Sequence, residues 1–258
     1  MPGDRLTFLG HSTVLIEMGG TRLLTDPVLG HVLWSIRRRA PAVAAHHLDA
    51  VDAVFISHGH FDHLDLKSLR TLPGRPTVIV PAGLGRIVGR TGLGEVVEVD
   101  VGERLRLGEL EIEAVPAAHG RRRSPRAAGT AALGCLVSGH ASVYFAGDTD
   151  VLPAWEGLAG RVDVALLPVG GWGPRLGPGH LDPETAARAA AVLRPAVAVP
   201  IHWGTLSPIG LHGVMGHRFH GPGPAFAEAV ARLAPDVMVH VLAPGASMAL
   251  PEHHDAAA

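Results

Sequence analysis

The segment Ser57-His58-Gly59-His60-Phe61-Asp62-His63 places three imidazoles and one carboxylate within seven consecutive residues. Residues 54–56, directly before it, form an apolar run typical of a buried strand, and residues 65–70 indicate the start of a helix. Layered α/β folds present functional groups on such strand-to-helix turns. Histidine is the commonest metal ligand, and aspartate adds a harder oxygen donor. The segment therefore predicts a metal site in an α/β protein.

The spacing within this segment favours two metal ions. His58 and His60 are two residues apart on an extended stretch, so their side chains point the same way and can share one ion. Asp62 and His63 lie past the bend and can serve a second ion. A solvated, histidine-rich loop is the alternative, but the surrounding sequence is neither polar nor of low complexity.

Three further donors stand just beyond apolar strand patterns. His119 follows residues 112–116, Asp148 follows an apolar run that ends at Gly147, and His202 follows residues 197–201. Each of them alone fits a turn or cap residue. Together with the first segment they give seven donors, which is enough for two metal ions.

The bulk composition excludes several classes of protein. The chain has 258 residues, 47% of them hydrophobic, and a net charge of -2, which gives no reason to expect a nucleic-acid partner. Cys135 is the single cysteine, so an internal disulfide or a thiolate cluster is excluded. No run approaches the ~20 apolar residues of a membrane span, and the first residues do not resemble a secretory signal. We therefore expect a cytoplasmic protein without a transmembrane segment.

The strand and helix patterns predict one domain over residues 1–258, built of two β-rich halves at about 1–125 and 126–258. Its predicted fold class is α/β, a four-layer α/β/β/α sandwich. Residues 29–47 are expected to form a mobile connection or a short helix. Residues 204–223 are expected to form a functional loop beside His202, since they contain no clear element.

Two local patterns are more specific. Strand-like runs at 96–99, 103–107 and 110–115 predict a meander, and a second β-rich unit is expected to begin near Thr130. Asp182-Pro183-Glu184 predicts the start of a helix that reaches Leu193, with an acidic cap and proline in the first turn.

These motifs resemble the metallo-β-lactamase superfamily. The resemblance rests on His58-Gly59-His60-Phe61-Asp62-His63, His119, Gly147-Asp148-Thr149 and His202, and it extends over nearly the whole chain. Within the superfamily, the chain is most similar to the branch that holds N-acylethanolamine phospholipase D and the ascorbate-6-phosphate lactonases. The features of that branch are Leu9-Gly10-His11-Ser12-Thr13, Thr25-Asp26-Pro27, His180-Leu181-Asp182-Pro183-Glu184 and His202-Trp203-Gly204-Thr205.

The resemblance implies a particular set of ligands. One ion would be held by His58, His60 and His119, and the other by Asp62, His63 and His202, with Asp148 bridging the two. Nitrogen and carboxylate donors without thiolate suit Zn²⁺ and also accept Mn or Fe. Two such ions share a water and lower its pKa, and the resulting hydroxide attacks carbon or phosphorus. The carboxylate of Asp62 would orient that water and pass its proton to the leaving group.

Other residues are candidates for supporting roles. Asp26 would fix a ligand imidazole, although an Asx turn before proline explains it equally well. His11 and Thr205 belong to the branch motifs and are expected near the site or its substrate. His180 would act in catalysis, by contacting substrate or donating to an oxyanion; a solvated residue before the helix is the alternative. Arg121 begins a basic run two residues after His119, where a guanidinium would clamp an anionic group.

The resulting hypothesis is a binuclear hydrolase that acts on a phosphodiester, as a phospholipase D does, or on a related ester. A lactonase acting on a small anionic lactone is the alternative, and a non-catalytic metal-binding protein or a di-iron redox protein is the alternative from another class. The expected substrate is an anionic small molecule or lipid, and a homodimer is compatible with the fold.

Overall fold

The computed structural model describes residues 3–120 and 130–252. Within these residues the strands are Arg5–Gly10 (β1), Thr13–Met18 (β2), Thr21–Thr25 (β3), Val32–Leu33 (β4), Ile36–Arg38 (β5), Ala53–Phe55 (β6), Thr77–Pro81 (β7), Val96–Val99 (β8), Arg104–Leu107 (β9), Leu110–Pro116 (β10), Leu133–Ser138 (β11), Ser142–Phe145 (β12), Val164–Pro168 (β13), Val197–Ile201 (β14), Leu206–Pro208 (β15), Met238–Val239 (β16) and Ser247–Ala249 (β17). The α-helices are Leu66–Thr71 (α1), Gly85–Val88 (α2), Pro183–Leu193 (α3), Gly216–His220 (α4) and Pro222–Leu233 (α5), and short 3-10 helices lie at Ala45–His47, Gly89–Thr91, Pro153–Leu158 and His212–Val214.

Two seven-stranded mixed sheets form the centre of the molecule. The first has the order β17-β1-β2-β3-β6-β7-β8, and the second has the order β16-β14-β13-β12-β11-β10-β9. In the first sheet, β3, β6, β7 and β8 run parallel to one another, and in the second, β12, β13, β14 and β16 do so. The carboxyl ends of parallel strands meet at one edge of a sheet, which gathers the segments that follow them.

Three apolar layers hold the sheets and helices together. The largest lies between the two sheets, where the rings of Phe55 and Phe145 meet edge to face with their centroids 6.3 Å apart. An alanine-rich layer attaches α3 and α5 to the outer face of the second sheet, and a third layer lies under α1 and α2 on the first. The four-layer α/β/β/α sandwich predicted from the sequence is therefore confirmed.

The largest difference from the prediction concerns residues 29–47. They form the hairpin β4–β5 and a 3-10 helix, where the sequence predicted a mobile connection or short helix. The hairpin pairs with β15, which lies inside the predicted loop 204–223, and the three strands make a small third sheet. That loop also holds a 3-10 helix and α4, so the prediction that it lacks elements was wrong as well.

The meander predicted over residues 96–115 is confirmed for β9 and β10, which pair antiparallel, and was wrong for β8. Strand β8 is the edge of the first sheet, whereas β9 and β10 belong to the second, so the chain crosses between the sheets after Val99. Near its end the chain crosses back from the second sheet to the first, where β17 pairs with β1. Among the described helices, none has the length and hydrophobicity needed to cross a bilayer.

Candidate metal centre

The predicted donors meet at the edge where the parallel strands end. His58, His60, Asp62 and His63 follow β6 in the turn that leads to α1. The turn closes at Asp65, whose carboxylate accepts from the backbone N–H groups of the first helical turn and so caps α1. His119, Asp148 and His202 follow β10, β12 and β14 in the other sheet. The site is therefore built from the facing ends of both sheets.

The first set of donors consists of three imidazoles. His60 Nδ1 lies 2.9 Å from His58 Nε2 and 3.0 Å from His119 Nε2. His58 and His60 are buried, and His119 is half-buried. Their ligand atoms lie close enough together to hold one metal ion.

The second set consists of Asp62, His63 and His202, all buried. The Nε2 atoms of His63 and His202 are 3.1 Å apart, and Asp62 Oδ2 lies 3.6 Å from the first and 3.7 Å from the second. These three donors also form a group that could hold a metal ion, together with His11.

Asp148 stands between the two sets. Its Oδ2 atom lies 3.9 Å from His58 Nε2 and 3.2 Å from His63 Nε2, one imidazole from each set. Its Oδ1 atom lies 3.2 Å from His202 Nε2. Gly147, with a φ of +60°, turns the chain so that Asp148 faces the cluster. A carboxylate in this position can serve both sets.

Asp26 supports one imidazole of each set. Its Oδ2 atom accepts from His63 Nδ1 at 2.7 Å and from the Ser57 hydroxyl at 2.5 Å, while Oδ1 accepts from the Ser57 backbone N–H at 2.7 Å. Because the Ser57 hydroxyl gives its proton to Asp26, its oxygen accepts from His58 Nδ1, 2.9 Å away. The inner Nε2 atoms of His58 and His63 are left as lone-pair donors.

Backbone carbonyls fix two more imidazoles in the same way. His119 Nδ1 donates to the carbonyl of Gly179 at 2.6 Å, and His202 Nδ1 donates to the carbonyl of Gly170 at 2.8 Å. A neutral imidazole that donates from Nδ1 has a lone pair on Nε2. The sequence could not have identified these carbonyls, because nothing in the residue type distinguishes them from any other.

The donor set fits metal ions. In their neutral forms, His63 and His202 direct lone pairs at one another across 3.1 Å, and neither has a proton to place between them. His60 Nε2 and Asp148 Oδ1 are buried and have no hydrogen-bond partner within the described residues. Lone pairs that converge without protons repel one another unless positive charge lies among them, as a bound cation supplies.

The pKa values within the cluster reflect the same need. Burial lowers the pKa of His58 well below its usual value and that of His60 to about 4, so both are neutral ligands near pH 7. Burial also acts to lower the pKa of His63, but nearby carboxylates, that of Asp148 first, outweigh it and raise this pKa well above the usual value. Buried carboxylates thus require a positive charge here, which a proton or a cation supplies.

The structure places His11 and Thr205 behind the second set. His11 Nε2 lies 3.2 Å from Asp62 Oδ2, and the rings of His11 and His202 are 4.0 Å apart at their centroids. The Thr205 hydroxyl accepts from the His11 backbone N–H at 2.7 Å. His11, Asp26 and His202 all have positive φ, which is uncommon for residues other than glycine and concentrates at functional sites.

His180 faces the cluster from the segment before α3. Its Nε2 atom lies 3.3 Å from Asp148 Oδ2, and its Nδ1 donates to the carbonyl of Gly177 at 3.0 Å. Its ring meets that of His119 edge to face, with the centroids 4.8 Å apart. The side chain is half-buried and lies beside both sets of donors. The last candidate, Arg121, lies outside the described residues.

Three aromatic residues lie near the site and were not predicted from the sequence. Trp172 Nε1 donates to Asp62 Oδ2 at 3.0 Å. Its ring lies 5.7 Å from that of Phe61, which in turn lies 6.2 Å from that of Trp34, measured between centroids. Phe61 lies between His60 and Asp62 in the sequence, and that position was the one sign that it would be near the site. Trp34 and Trp172 are distant in sequence and carry no comparable pattern.

Comparison with known protein families identifies the superfamily of this chain. A family model described as a β-lactamase superfamily domain matches residues 21–203, and the chain belongs to that superfamily. Within it, the chain belongs to the UPF0173 family. The UPF0173 metal-dependent hydrolase of Aeropyrum pernix is 30% identical, with 94% of this chain and 96% of that protein covered. That of Methanopyrus kandleri is 33% identical, with 94% and 98% covered.

Other matches extend the comparison. An uncharacterised protein of Mycobacterium tuberculosis is 35% identical over 78% of this chain, and the chain spans 58% of that longer protein. A metallo hydrolase from Ignicoccus hospitalis has a TM-score of 0.72 at 23% identity, covering 95% of this chain and 97% of the other. An isothiocyanate hydrolase from Delia radicum gut bacteria has a TM-score of 0.72 at 22% identity, covering 95% and 99%. At these identities the structural likeness concerns the fold.

Proposed function

We propose that the chain is a binuclear, zinc-dependent hydrolase that cleaves a phosphodiester or a related ester. His58, His60 and His119 would hold one ion, Asp62, His63 and His202 the other, and Asp148 both. The observation that carries the proposal is the convergence of the inner imidazole nitrogens on one another and on Asp148, with the Nε2 atoms of His63 and His202 3.1 Å apart. The names of the Aeropyrum and Methanopyrus relatives support the reaction class.

The protein's own groups prepare the site for hydrolysis. When bound, divalent cations in such a site polarise the scissile phosphoryl or carbonyl group and acidify water. Asp62 Oδ2 accepts from His11 and Trp172. Burial opposes ionisation of Asp62, but His63 and the hydrogen bonds from His11 and His202 hold the pKa of Asp62 well below its usual range. Asp62 is therefore suited, as a carboxylate, to binding a cation and orienting water. The leaving group also needs a proton.

His180 is better suited to donate that proton. The carbonyl of Gly177 requires a proton on His180 Nδ1, so the atom that exchanges protons is Nε2, which faces the cluster. Asp148 Oδ2 lies 3.3 Å from this Nε2 atom and can accept a hydrogen bond from it. We assign His180 the role of general acid toward the leaving-group oxygen.

The preference for phosphodiesters comes from the motifs shared with the phospholipase D branch, and lactones are the main competing substrates. The test is metal analysis of the purified protein together with hydrolysis of bis(p-nitrophenyl) phosphate, before and after chelation and after re-addition of zinc. We expect two metal ions per chain and turnover that chelation abolishes. Hydrolysis of lactones in place of the phosphodiester would keep the site but change the substrate class.

Variants connect the activity to the proposed residues. His119→Ala and His63→Ala should each lose metal and lower turnover by at least about 100-fold, since outer supports alone are worth 10–100-fold. His180→Gln should keep both ions and lose turnover on substrates with poor leaving groups. His140→Ala, which removes an exposed imidazole paired with Asp4, is the control and should retain full activity. Undiminished turnover in both ligand variants would refute the assignment.

A further inference from the structure

An exposed apolar surface lies next to the aromatic residues of the metal centre. Trp34 is 77% exposed and Val214 is 83% exposed, and Val32, Ile209 and Leu211 are exposed as well. We refer to these five residues as the hairpin surface. Exposed single apolar residues are common, but a group this concentrated marks an interaction site.

Two segments distant in sequence build the hairpin surface. Trp34 stands at the tip of the β4–β5 hairpin, and strand β15 pairs with β5. The backbone N–H of Ile209 donates to the carbonyl of Ser35 at 2.9 Å, which fixes the segment after β15 beside the hairpin tip. The 3-10 helix that presents Val214 follows directly. The arrangement is thus held by backbone hydrogen bonds.

Trp34 is costly for the folded protein in two ways. Its ring is exposed to water, and its φ of +54° is a conformation that a bulky side chain rarely adopts. A glycine at this tip would avoid both costs. Strain of this kind concentrates where a residue has a function. Ala50 and Arg194 also have positive φ, but neither exposes a large apolar side chain as Trp34 does.

The two segments that build the hairpin surface carry charge of one sign, although Asp182, from another segment, lines the same cavity as Arg218. Residues 27–48 and 203–227, which contain the whole surface, include no aspartate or glutamate. They do include Arg37, Arg39 and Arg218, all exposed. Exposed tryptophan and aliphatic side chains beside arginines are the combination that binds the interface of an anionic membrane. A second copy of the chain would bring like charges together.

We propose that the hairpin surface docks on a phospholipid bilayer that contains anionic lipids. The line of rings from Trp34 through Phe61 to Trp172 ends at Asp62, so docking would place the metal centre against lipid headgroups. The docking itself is independent of the proposed hydrolase. Only the further conclusion, that the substrate is a membrane lipid, rests on the proposed function.

The first test measures binding of the full chain to vesicles, without reference to activity. We expect co-sedimentation with phosphatidylcholine vesicles containing phosphatidylglycerol, weaker binding to phosphatidylcholine alone, and loss of binding in high salt. Trp34 is the most exposed of the described tryptophans, so brominated lipids should quench its fluorescence. Quenching should disappear in the Trp34→Gly variant.

Variants separate docking from folding. Trp34→Gly relieves the backbone strain, so it should leave thermal stability unchanged or raised while weakening vesicle binding about tenfold. Val214→Ser should weaken binding too, whereas Val101→Ser, at another exposed valine, should not. Arg37→Gln with Arg218→Gln should remove the preference for anionic lipid, and Arg90→Gln should not.

Three results would overturn the proposal. They are absence of binding to vesicles of either composition, equal binding by wild type and Trp34→Gly, and a dimer in solution that the Trp34→Gly variant dissociates without any lipid binding. If the protein binds vesicles in a way that depends on Trp34 but hydrolyses no lipid, the docking proposal is supported. The conclusion that the substrate is a membrane lipid is then contradicted. The failures of the two proposals are therefore distinguishable.

Discussion

Replacing Asp26 by asparagine should weaken metal binding without removing any ligand. Asp26 accepts three hydrogen bonds, two from Ser57 and one from His63 Nδ1. An asparagine keeps the shape but has one oxygen. If its NH₂ group replaces Oδ2, it faces the N–H of His63; if it replaces Oδ1, it faces the backbone N–H of Ser57. In either orientation two donors oppose one another, and His63 loses its carboxylate partner.

The structure predicts unequal losses for the two ions. Loss of a supporting group outside the ligands typically costs 10–100-fold in metal affinity, or about 1.4–2.7 kcal/mol. The ion held by His63 should show the larger loss, about 100-fold, because Asp26 contacts that imidazole directly. The ion held by His58 should lose about tenfold or less, because Ser57 lies between His58 and Asp26.

The assay is competition between metal-stripped protein and a chromophoric chelator, which resolves two affinities. The chain offers a matched control in Asp163→Asn. Asp163 accepts from the backbone N–H and the hydroxyl of Ser142, as Asp26 does from Ser57, but it lies before β13, at the end of the second sheet away from the metal centre. Asp26→Asn should lose about 1–3 kcal/mol of stability from the unsatisfied donor. Asp163→Asn should lose less, because both Ser142 groups bond the Oδ2 atom and a single amide oxygen can accept both. Only Asp26→Asn should lose metal affinity.

Two outcomes would refute this reasoning. One is an Asp26→Asn protein that binds both ions as tightly as wild type, which would mean that the His63 tautomer does not depend on the carboxylate. The other is an equal loss of affinity in Asp163→Asn, which would mean that the effect follows from general destabilisation. If the ion at His58 is lost more readily than the ion at His63, then Asp26 supports His58 more strongly than His63, contrary to our expectation.

Two other perturbations have predictable consequences for stability, both measurable by urea unfolding. Gly147→Ala should cost about 2–4 kcal/mol, because φ is +60° and the new Cβ would lie 2.8 Å from the Cβ of Ser57; Gly20→Ala, at a φ of +73° with open space around it, should cost only about 1–2 kcal/mol. Burial lowers the pKa of His11 to about 3, so neutral His11 contributes fully to the free energy of unfolding above the unfolded-state pKa of 6.5, and this contribution is lost as the pH falls. At pH 5 the free energy of unfolding of the metal-free protein should be about 2 kcal/mol lower because of His11. The His11→Gln variant should not show this part of the pH dependence.

The centre of the fold could be predicted from the sequence because its signals are local. Strands β6, β12 and β14 are short apolar runs, and each is followed within a few residues by the donors of the site. Because parallel strands of one sheet share a carboxyl edge, the donors after β12 and β14 are expected to lie together. Their contact with the donors after β6 depends on how the two sheets pack. The packing then brings together all the predicted ligands among the described residues, and their role as ligands stays a prediction.

The supporting contacts could not be predicted because they depend on packing between distant segments. Trp172 reaches Asp62 across 110 positions of sequence, and the Gly170 and Gly179 carbonyls act through backbone that any residue has. The β4–β5 hairpin was missed for a different reason. Its turn is Trp34-Ser35, which lacks the glycine or asparagine that normally signals a hairpin.

Backbone strain distinguishes the two surfaces that matter in this protein. Six non-glycine residues among those described have positive φ, and three of them, His11, Asp26 and His202, surround the metal centre. Each of them makes a buried hydrogen bond that offsets the strain: His11 with Thr205, Asp26 with His63, and His202 with the Gly170 carbonyl. Trp34 has the same backbone strain at an exposed hairpin tip, where burial of its own ring does not offset the cost. Ala50 and Arg194 share this strain at exposed positions, but Trp34 is the one of these three that also exposes a large apolar ring. A partner that covers the ring would compensate for that exposure.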